Sequence, residues 1–409
     1  MTDATPEVEV PTPLPRLGLR EEIRPVVQTE DDLVRACAEI SLGHGPIALD
    51  AERASGYRYS QRAYLIQVRR EGAGTFLIDP IPFGDLTELQ QAFGDSEWIL
   101  HAATQDLPCL AEVNLHPAAL FDTELAGRLL NLPRVGLASL VEHYLHMSLA
   151  KEFSAADWST RPLPEPWLEY AALDVEVLSE LRGHVLADLE STGKLPWALQ
   201  EFEALLSFTG PPERHEPWRR TSGMHKVRGR RGLAIVRALW EARDQIAADR
   251  DTTPGRILPD ASIVALALDP PSTPGALKSA AAMRNRGPRR FLSAWADAID
   301  LALGLPDDAL PTPAQKTDGP PPPRAWADKD PVAAERLSRA RELMASLSEE
   351  HQVPVENVLT PSLVRALAWQ PPSDLSLESV SRVLVDGGAR QWQIDLAAAG
   401  LTAALDAPA

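Results

Sequence analysis

A chain of 409 residues with 44% hydrophobic and 24% charged residues has the composition of a soluble globular protein and the length for several domains. Its formal net charge of −18 excludes a protein that coats nucleic acid with its whole surface, although it leaves room for a local basic surface. Two cysteines, Cys37 and Cys109, cannot form a disulfide framework or a zinc site.

Residues 1–24 are rich in proline and acidic side chains and show no apolar period, so we expect a disordered N-terminal segment. The segment lacks the basic start and the apolar stretch of a signal peptide. No apolar run in the chain approaches the roughly 20 residues that are needed to cross a bilayer. These features predict a cytoplasmic protein that makes no membrane contact, and we expect it to be a monomer.

The run Ile47-Ala48-Leu49-Asp50-Ala51-Glu52 ends in two carboxylates that are separated by one residue. In a strand, the period of two places Asp50 and Glu52 on one face, while the residues between them point to the core. Two adjacent carboxylates repel each other unless a cation lies between them, so the pattern indicates metal ligands at the end of a strand. The spacing recurs at Asp188 and Glu190 in a stretch that is typical of a solvated helix, so the pair alone is more typical of an ordinary surface.

Helix and strand patterns alternate along the next part of the chain. The expected elements are helices at residues 31–40 and 86–93 and strands at 63–68, 75–78 and 98–100. The first two of these strands are separated by residues 71–74, which predict a hairpin turn. From 121 to 144 the pattern predicts mainly helices. Strands that alternate with helices predict a mixed sheet with helices on its faces.

Three further polar residues lie at positions where functional groups gather. Asp106 follows the strand at 98–100 and starts the next helix, which is where sites form in such sheets. Alone, it is equally a helix N-terminal carboxylate that the helix dipole stabilises. Tyr170 and Asp174 are four residues apart in a later helical stretch and therefore share a face. Tyr170 is also compatible with a half-buried core aromatic whose hydroxyl contacts water.

Three motifs together resemble the DEDD exonuclease superfamily, in the branch with a tyrosine in its third motif, and within it the ribonuclease D family. They read DAERASGYRYSQRAYLIQV from Asp50, HAATQDL from His101 and DWSTRPLPEPWLEYAALDVEVL from Asp157. The sister branch has a histidine five residues before the last aspartate, where this chain has Glu169, so the tyrosine branch is favoured. One departure is Ala51, where many relatives have threonine, and it removes a hydroxyl but no metal ligand.

The resemblance implies an α/β, ribonuclease H-like exonuclease domain whose mixed sheet is flanked by helices. It also implies that Asp50, Glu52, Asp106 and Asp174 hold two divalent cations. Oxygen ligands select Mg²⁺ or Mn²⁺ rather than zinc, and two such ions about 4 Å apart supply a nucleophilic hydroxide and stabilise a leaving 3′ oxygen. Tyr170 is implied to orient the attacking water or to help deprotonate it.

Residues 214–231 carry seven arginines or lysines and one glutamate, a local charge of 7 − 1 = +6 in an acidic protein. Basic side chains for phosphates and an aromatic ring for base stacking suit a contact with nucleic acid. The residues assigned to this contact are Trp218, Arg219, Arg220, Lys226, Arg228, Arg230 and Arg231. A flexible, solvated linker is the alternative interpretation. A second basic stretch follows at 284–290.

The C-terminal half is helical and repeats with a period of 101 residues, since Pro270-Pro271-Ser272 recurs as Pro371-Pro372-Ser373. The period is too long for a solenoid unit and predicts two small all-α domains of one type. Through Leu239-Trp240 and Arg243 the first copy resembles an HRDC domain, a helical nucleic-acid-binding module. The second copy resembles it only through the repeat.

These patterns divide the chain into six segments. They are a disordered segment at 1–24, an exonuclease domain at 25–212, a basic linker at 213–225, an HRDC domain at 226–304, a proline-rich, semi-rigid linker at 305–326 and a second HRDC-like domain at 327–406.

The predicted function is a metal-dependent 3′-to-5′ exoribonuclease that trims structured RNA, with tRNA precursors the substrate that the resemblance implies. DNA is the alternative substrate, because a carboxylate site handles either sugar. A nucleic-acid-binding protein that keeps the fold without turnover is a second alternative, which the intact set of four carboxylates and Tyr170 disfavours.

Overall fold

A five-stranded mixed sheet forms the centre of the N-terminal domain in the computed structural model, which describes residues 13–149, 153–313 and 319–406. The strands are β1 (His44–Arg53), β2 (Ala63–Glu71), β3 (Gly74–Ile78), β4 (Glu97–Leu100) and β5 (Ala119–Asp122). Their order is β3-β2-β1-β4-β5, with antiparallel pairs β1–β2 and β2–β3 and parallel pairs β1–β4 and β4–β5. The predicted hairpin is confirmed, and its turn contains Gly72 and Gly74 at φ of 80° and 87°, values that glycine adopts without steric cost.

Helices cover both faces of this sheet. They are α1 (Glu30–Leu42), α2 (Thr87–Phe93), α3 (Leu107–Ala111), α4 (Thr123–Leu129), α5 (Leu137–Leu140), α6 (Glu165–Glu176), α7 (Leu178–Ser191) and α8 (Leu195–Leu205). Ile47 and Leu49 of β1 share an apolar cluster with α1, α2 and α3. Ala48 points the other way and packs with Val175 of α6 and Leu178 of α7. The central strand is therefore buried on both sides, which explains its continuous apolar run.

Strand β5 is absent from the sequence prediction, which assigned residues 121–144 mainly to helices. It pairs with β4 at the sheet edge, and its Leu120 and Phe121 are both buried. Four residues are too few to display the strand period, and Asp122 at the strand end caps α4 by accepting hydrogen bonds from the amides of Glu124 and Leu125. The helical pattern that begins with α4 therefore concealed the short strand before it.

The N-terminal segment also differs from its prediction. Residues 13–24 are not a disordered segment, because Leu17 is buried and its amide donates to the carbonyl of Ser148 at 2.9 Å. The amide of Ser148 donates back to the carbonyl of Pro15 at 2.9 Å, and Arg20 forms an ion pair with Glu180 of α7. The predicted disorder of residues 1–12 lies outside the described residues.

Two helical units follow the N-terminal α/β domain. The first, residues 217–313, contains α9 (Arg230–Asp249), α10 (Pro254–Ile257), α11 (Asp260–Leu268), α12 (Pro274–Ser279), α13 (Arg286–Arg289) and α14 (Leu292–Gly304). The second, residues 319–406, contains α15 (Trp326–Lys329), α16 (Pro331–His351), α17 (Val355–Val358), α18 (Pro361–Trp369), α19 (Leu377–Asp386) and α20 (Gln391–Asp406). Helices α16, α17 and α18 each begin 101 residues after α9, α10 and α11, as the internal repeat predicts.

The segments that the sequence assigns to linkers are partly packed into these units. Trp218 is 3% exposed within the apolar core of the first helical unit, and so is Leu310 at 8%. Trp326 is fully buried in the core of the second unit, and its indole N–H donates to the carbonyl of Pro321 at 2.7 Å. The flexible-linker interpretation of residues 213–225 therefore does not hold from Trp218 onward.

Both helical units contact the N-terminal α/β domain. The core of the second unit continues into that domain through Phe121, Ala126, Val185, Ala198 and Phe202. The first unit contacts the loop that joins β1 to β2. No helix in the described ranges is long and apolar enough to span a bilayer. The fold class of an α/β domain with a mixed sheet and helical C-terminal parts is confirmed.

Candidate active site

The carboxyl end of β1 positions the first two candidate ligands. Because side chains alternate along a strand, Asp50 and Glu52 lie on the face of Ala48, which is covered by α6 and α7. Asp50 stands opposite Gln67 of β2, and the buried amide of Gln67 donates to Asp50 Oδ2 at 3.5 Å. The sheet thus fixes the direction of both carboxylates.

Helix α6 brings Asp174 to the same place. One ligand oxygen from each of Asp50, Glu52 and Asp174 lies within 4.8 Å of the others. Tyr170 precedes Asp174 by one helical turn, and both side chains line the same cleft. The strand pair and the helix pair that the sequence singled out therefore meet at one point.

Asp106 completes the acidic lining of the same cleft. It occupies the N-cap position of α3 after β4, makes no side-chain capping bond there and is 4% exposed. It does not belong to the group of three within 4.8 Å, but its charge acts on Glu52, whose pKa it helps to raise. All four predicted carboxylates thus surround one cleft with a volume of about 590 Å³.

Burial and mutual repulsion disfavour a negative charge on all four carboxylates of the cleft at once. Burial raises the pKa of Asp50 to about 6. Burial and the neighbouring carboxylates, first Asp50, raise the pKa of Glu52 to about 10. Burial and the charge of Asp50 also raise the pKa values of Asp106 and Asp174 well above their ordinary range. A cation between these groups would remove this repulsion, so the donor set fits a hard divalent ion.

Tyr170 combines core packing with a polar contact in the cleft. Its ring lies edge-on to Phe153 at 5.9 Å and tilted against Trp158 at 6.4 Å, measured between ring centroids. Burial raises the pKa of its hydroxyl, and the negative charges of Asp174 and Glu52 raise it further. The phenol therefore stays protonated at neutral pH and is a hydrogen-bond donor.

Three cleft residues were not assigned a role from the sequence. Arg53, the last residue of the ligand strand, carries a positive charge that partly offsets the rise that burial causes in the pKa values of Asp50 and Asp106. His101 is bonded through Nδ1 to the hydroxyl of Thr123 at 2.9 Å, and burial lowers its pKa to about 4, so it is neutral at pH 7. Gln105 also lines the cleft. Their positions in the sequence motifs, next to the carboxylates, could have identified them.

The basic segment is not the continuous nucleic-acid surface that the sequence predicted. Trp218 is buried, so its ring cannot stack on a base, and Arg219 lies over that ring at 4.3 Å and pairs with Glu216 at 2.6 Å. Arg230 and Arg231 donate to the main-chain carbonyls of Leu310, Pro311, Ala302 and Leu305. Base stacking by Trp218 is therefore corrected to core packing, while the three arginines help to hold the first helical unit together and their contact with nucleic acid stays a prediction.

The other basic residues that the sequence singled out are exposed to solvent. Arg220, Lys226 and Arg228 are exposed. So are the four arginines of the second basic stretch, Arg284, Arg286, Arg289 and Arg290. Their charges therefore stay available to a partner.

Comparison with protein families places this site in a known class. Family models match the chain as a 3′-5′ exonuclease over residues 25–190, as an HRDC domain over 232–299 and as a 3′ to 5′ exonuclease C-terminal domain over 319–405. The second helical unit thus matches a different model from the first, although the two share their helix spacing. The fold and the acidic cleft define a 3′-to-5′ exonuclease with helical C-terminal domains.

Individual relatives narrow this class to one family. Ribonuclease D of Escherichia coli is 30% identical over 296 residues, which are 70% of this chain and 76% of that protein. Ribonuclease D of Gluconacetobacter diazotrophicus is 29% identical over 342 residues, 81% of this chain and 83% of that protein. The chain belongs to the ribonuclease D family, and it is a 3′-to-5′ exoribonuclease.

Solved structures agree over nearly the whole chain. A protein from Bifidobacterium adolescentis has a TM-score of 0.88 at 38% identity, covering 96% of this chain and all of that one. Escherichia coli RNase D, described as an exoribonuclease involved in structured RNA processing, has a TM-score of 0.67 at 25% identity, covering 94% of this chain and 99% of that one. The likeness therefore includes the helical units as well as the exonuclease domain.

Proposed function

We propose that this exoribonuclease removes nucleotides from the 3′ ends of structured RNAs, tRNA precursors among them, by metal-dependent hydrolysis. The observation that carries the proposal is the convergence of Asp50, Glu52 and Asp174 within 4.8 Å in a cleft that Asp106 also lines. The substrate class follows from the relatives, since the Escherichia coli protein processes structured RNA.

Asp50, Glu52, Asp106 and Asp174 would hold two divalent cations, Mg²⁺ or Mn²⁺. The donor set is made only of carboxylate oxygens, which suit these ions better than zinc. When bound, the ions supply a hydroxide at neutral pH and stabilise the leaving 3′ oxygen. The raised pKa values of the four carboxyl groups support this assignment, because burying them together is unfavourable unless positive charge is added.

The other cleft residues act on the substrate and the water. Tyr170 orients the attacking water by a hydrogen bond. Because the pKa of its hydroxyl is raised, the phenol stays protonated and acts as a hydrogen-bond donor instead of a base. Arg53 offers a positive charge to the phosphate at the edge of the carboxylate group. Neutral His101 keeps its ring fixed by Thr123 and adds no further charge.

The RNA beyond the cleft would be bound by the exposed arginines and lysines of the first helical unit. Arg220, Lys226 and Arg228 are retained as nucleic-acid contacts. The arginines of residues 284–290 are added to these nucleic-acid contacts because of their place in the fold. Their helix α13 packs against α10, and Arg256 of α10 lies over the ring of Tyr57 in the β1–β2 loop at 4.2 Å. Phosphate contacts of this kind bind without reading sequence, so we expect affinity that falls steeply with salt.

The test is incubation of the full-length protein with end-labelled RNA, or with DNA of the same sequence, in magnesium or manganese. We expect a ladder of shortened RNA products from the 3′ end, no products in EDTA, and recovery on adding manganese. A tRNA precursor with a 3′ extension should be trimmed to its structured end. Faster digestion of DNA would favour the alternative substrate, and recovery by zinc alone would contradict the oxygen-ligand assignment.

A further inference from the structure

The loop of residues 54–62 joins the ligand strand β1 to β2 and forms part of the cleft wall. Ser55 and Gly56 line the cleft directly. On its far side the loop rests on the first helical unit, where the hydroxyl of Tyr59 donates to Asp244 at 3.0 Å and the carbonyl of Tyr57 accepts from the amide of Thr253 at 3.0 Å. The helical unit therefore touches a wall of the active site.

Asp251 makes several of these contacts with one carboxylate. Its Oδ1 accepts from the amide of Ser60 at 2.8 Å, and its Oδ2 accepts from the guanidinium of Arg62 at 3.2 Å and from the hydroxyl of Tyr64 at 3.2 Å. Its backbone has a φ of 42°, in the left-handed region that non-glycine residues seldom adopt. These contacts span the loop and the first residues of β2.

Tyr64 is the point at which the pairing of β1 and β2 is irregular. Glu52 pairs with Leu65 and Arg53 pairs with Ala63, so Tyr64 is an extra residue on β2 directly opposite the end of the ligand strand. Bulges of this kind redirect the side chains next to them. Tyr64 is held at both ends, because its carbonyl accepts from Arg161 at 2.7 Å while its hydroxyl donates to Asp251.

We propose that Asp251, in the helical unit that follows the exonuclease domain, is a positioning residue for the active site. By fixing the 54–62 loop and the bulge at Tyr64, it holds Glu52 and the cleft wall in the geometry that hydrolysis requires. The inference rests on the proposed function, and it gives the first helical unit a part in the chemical step besides RNA binding.

A direct contact of Asp251 with RNA would have the opposite consequence. A carboxylate repels phosphate, so its removal would strengthen RNA binding and lower KM. Loss of positioning instead lowers kcat, because the reacting groups leave their productive geometry while the binding groups remain. The division of the effect between kcat and KM therefore separates the two roles.

The experiment compares full-length wild type with Asp251→Ala, Asp251→Asn and Tyr64→Phe on a short single-stranded RNA in magnesium. For Asp251→Ala we expect kcat to fall roughly 10- to 100-fold, the scale of misplacing reacting groups by about 1 Å, with little change in KM. Asp251→Asn should recover most of the rate, because its amide oxygen still accepts from Ser60. Tyr64→Phe keeps the buried ring and loses one contact, so its kcat should fall to an intermediate value.

Amide hydrogen exchange gives a readout that does not depend on activity. In Asp251→Ala, exchange should rise in residues 55–62 and stay unchanged in α7, remote from the loop. Asp249→Ala is the matched control, since this exposed carboxylate at the end of α9, two residues before Asp251, bonds to Gln245 at 2.8 Å.

Unchanged amide exchange in residues 55–62 of Asp251→Ala, or an unchanged kcat in that variant, would overturn the inference. An equal loss of kcat in Asp249→Ala would also overturn it. If Asp251→Ala does not fold, unchanged kcat and loop exchange in Tyr64→Phe overturn it. Failure of wild type to cleave the RNA would instead refute the proposed function, and the exchange data would still decide whether Asp251 holds the loop.

Discussion

At the scale of single residues, the acidic cleft is a place where the fold accepts unfavourable charge. Asp50, Glu52 and Asp174 come from two elements that are rigidly packed, so they cannot move apart to relieve their repulsion. Their raised pKa values record this cost. A site of this kind is expected where function, and not stability, determines the residue.

Asp50→Asn should therefore separate function from stability. Activity should fall by more than about 100-fold, the effect of removing one group that stabilises the transition state. In EDTA the thermal midpoint should stay the same or rise, because one buried charge is removed. Adding magnesium should raise the midpoint of the wild type more than that of the variant, since ligand binding stabilises only a competent site.

A carboxylate with the same local spacing serves as the control for this variant. Glu190 belongs to the Asp-x-Glu pattern of α7 and is exposed. Glu190→Gln should leave both activity and the response to magnesium unchanged. A magnesium response in Asp50→Asn equal to that of the wild type would contradict the ligand assignment.

Tyr170→Phe tests whether the hydroxyl in the cleft takes part in the reaction. The ring contacts with Phe153 and Trp158 are retained, so stability should change little. Loss of a hydrogen bond to the water should lower the single-turnover rate by roughly 10- to 1,000-fold, toward the range of a lost acid–base group. Tyr144→Phe is a control, because that hydroxyl bonds to an aspartate, Asp188 at 2.8 Å, outside the cleft. An unchanged rate in Tyr170→Phe would return the residue to a packing role.

At the scale of secondary-structure elements, the sequence predicted best where the pattern is local. The two-residue period of β1, the glycine-rich hairpin and the four-residue spacing of Tyr170 and Asp174 each depend on residues within one element. The strand β5 and the ordered segment around Leu17 depend on contacts with residues far along the chain, β4 and Ser148. A single sequence carries no signal for such contacts, and both were missed.

The basic segment shows the same limit in its side chains. Charge density predicted a nucleic-acid surface, but charge says nothing about the partner of each arginine. Arg230 and Arg231 donate to main-chain carbonyls at the end of the first helical unit, a contact that charge density alone does not predict. The Trp218 ring was assigned to base stacking for the same reason and lies in the core.

Paired substitutions distinguish these two groups of basic residues. Arg220→Ala with Lys226→Ala should weaken RNA binding and reduce the slope of log affinity against log salt by about 1 for each lost phosphate contact. Arg230→Ala with Arg231→Ala should mainly lower thermal stability, by roughly 1 kcal/mol for each lost hydrogen-bonded side chain. Fluorescence anisotropy over a salt series and thermal melting measure the two effects. Equal salt slopes for both pairs would remove the distinction.

At the scale of the whole molecule, the second helical unit and the exonuclease domain form one continuous core. Trp392 of α20 stacks on Trp197 of α8, with ring centroids 4.8 Å apart and planes inclined by 13°. Its indole N–H donates to Glu201 at 3.0 Å, and Glu201 is paired with Arg390 at 3.3 Å. The two parts should therefore unfold together, because neither can separate without exposing this apolar contact.

Trp392→Ala tests that coupling. The substitution should cost about 3–5 kcal/mol, the range for removing a large buried aromatic side chain, and should lower the melting temperature of the exonuclease domain itself. Magnesium bound in the cleft identifies the unfolding transition of that domain, because it raises the midpoint temperature only of the transition in which the metal site is lost. We expect one calorimetric transition that includes the second helical unit and shifts with magnesium, in the variant as in the wild type.

Trp369→Ala is the companion variant, since Trp369 belongs to the second helical unit and packs on Trp326 of the same unit, at 4.9 Å between centroids. If the core is continuous, this change should also lower the magnesium-dependent transition, although the altered residue lies in the other unit. If the second helical unit and the exonuclease domain unfold independently, each variant should instead show a separate transition at lower temperature whose midpoint does not change with magnesium. That result would mean that the apolar contact around Trp392 joins two bodies that fold separately.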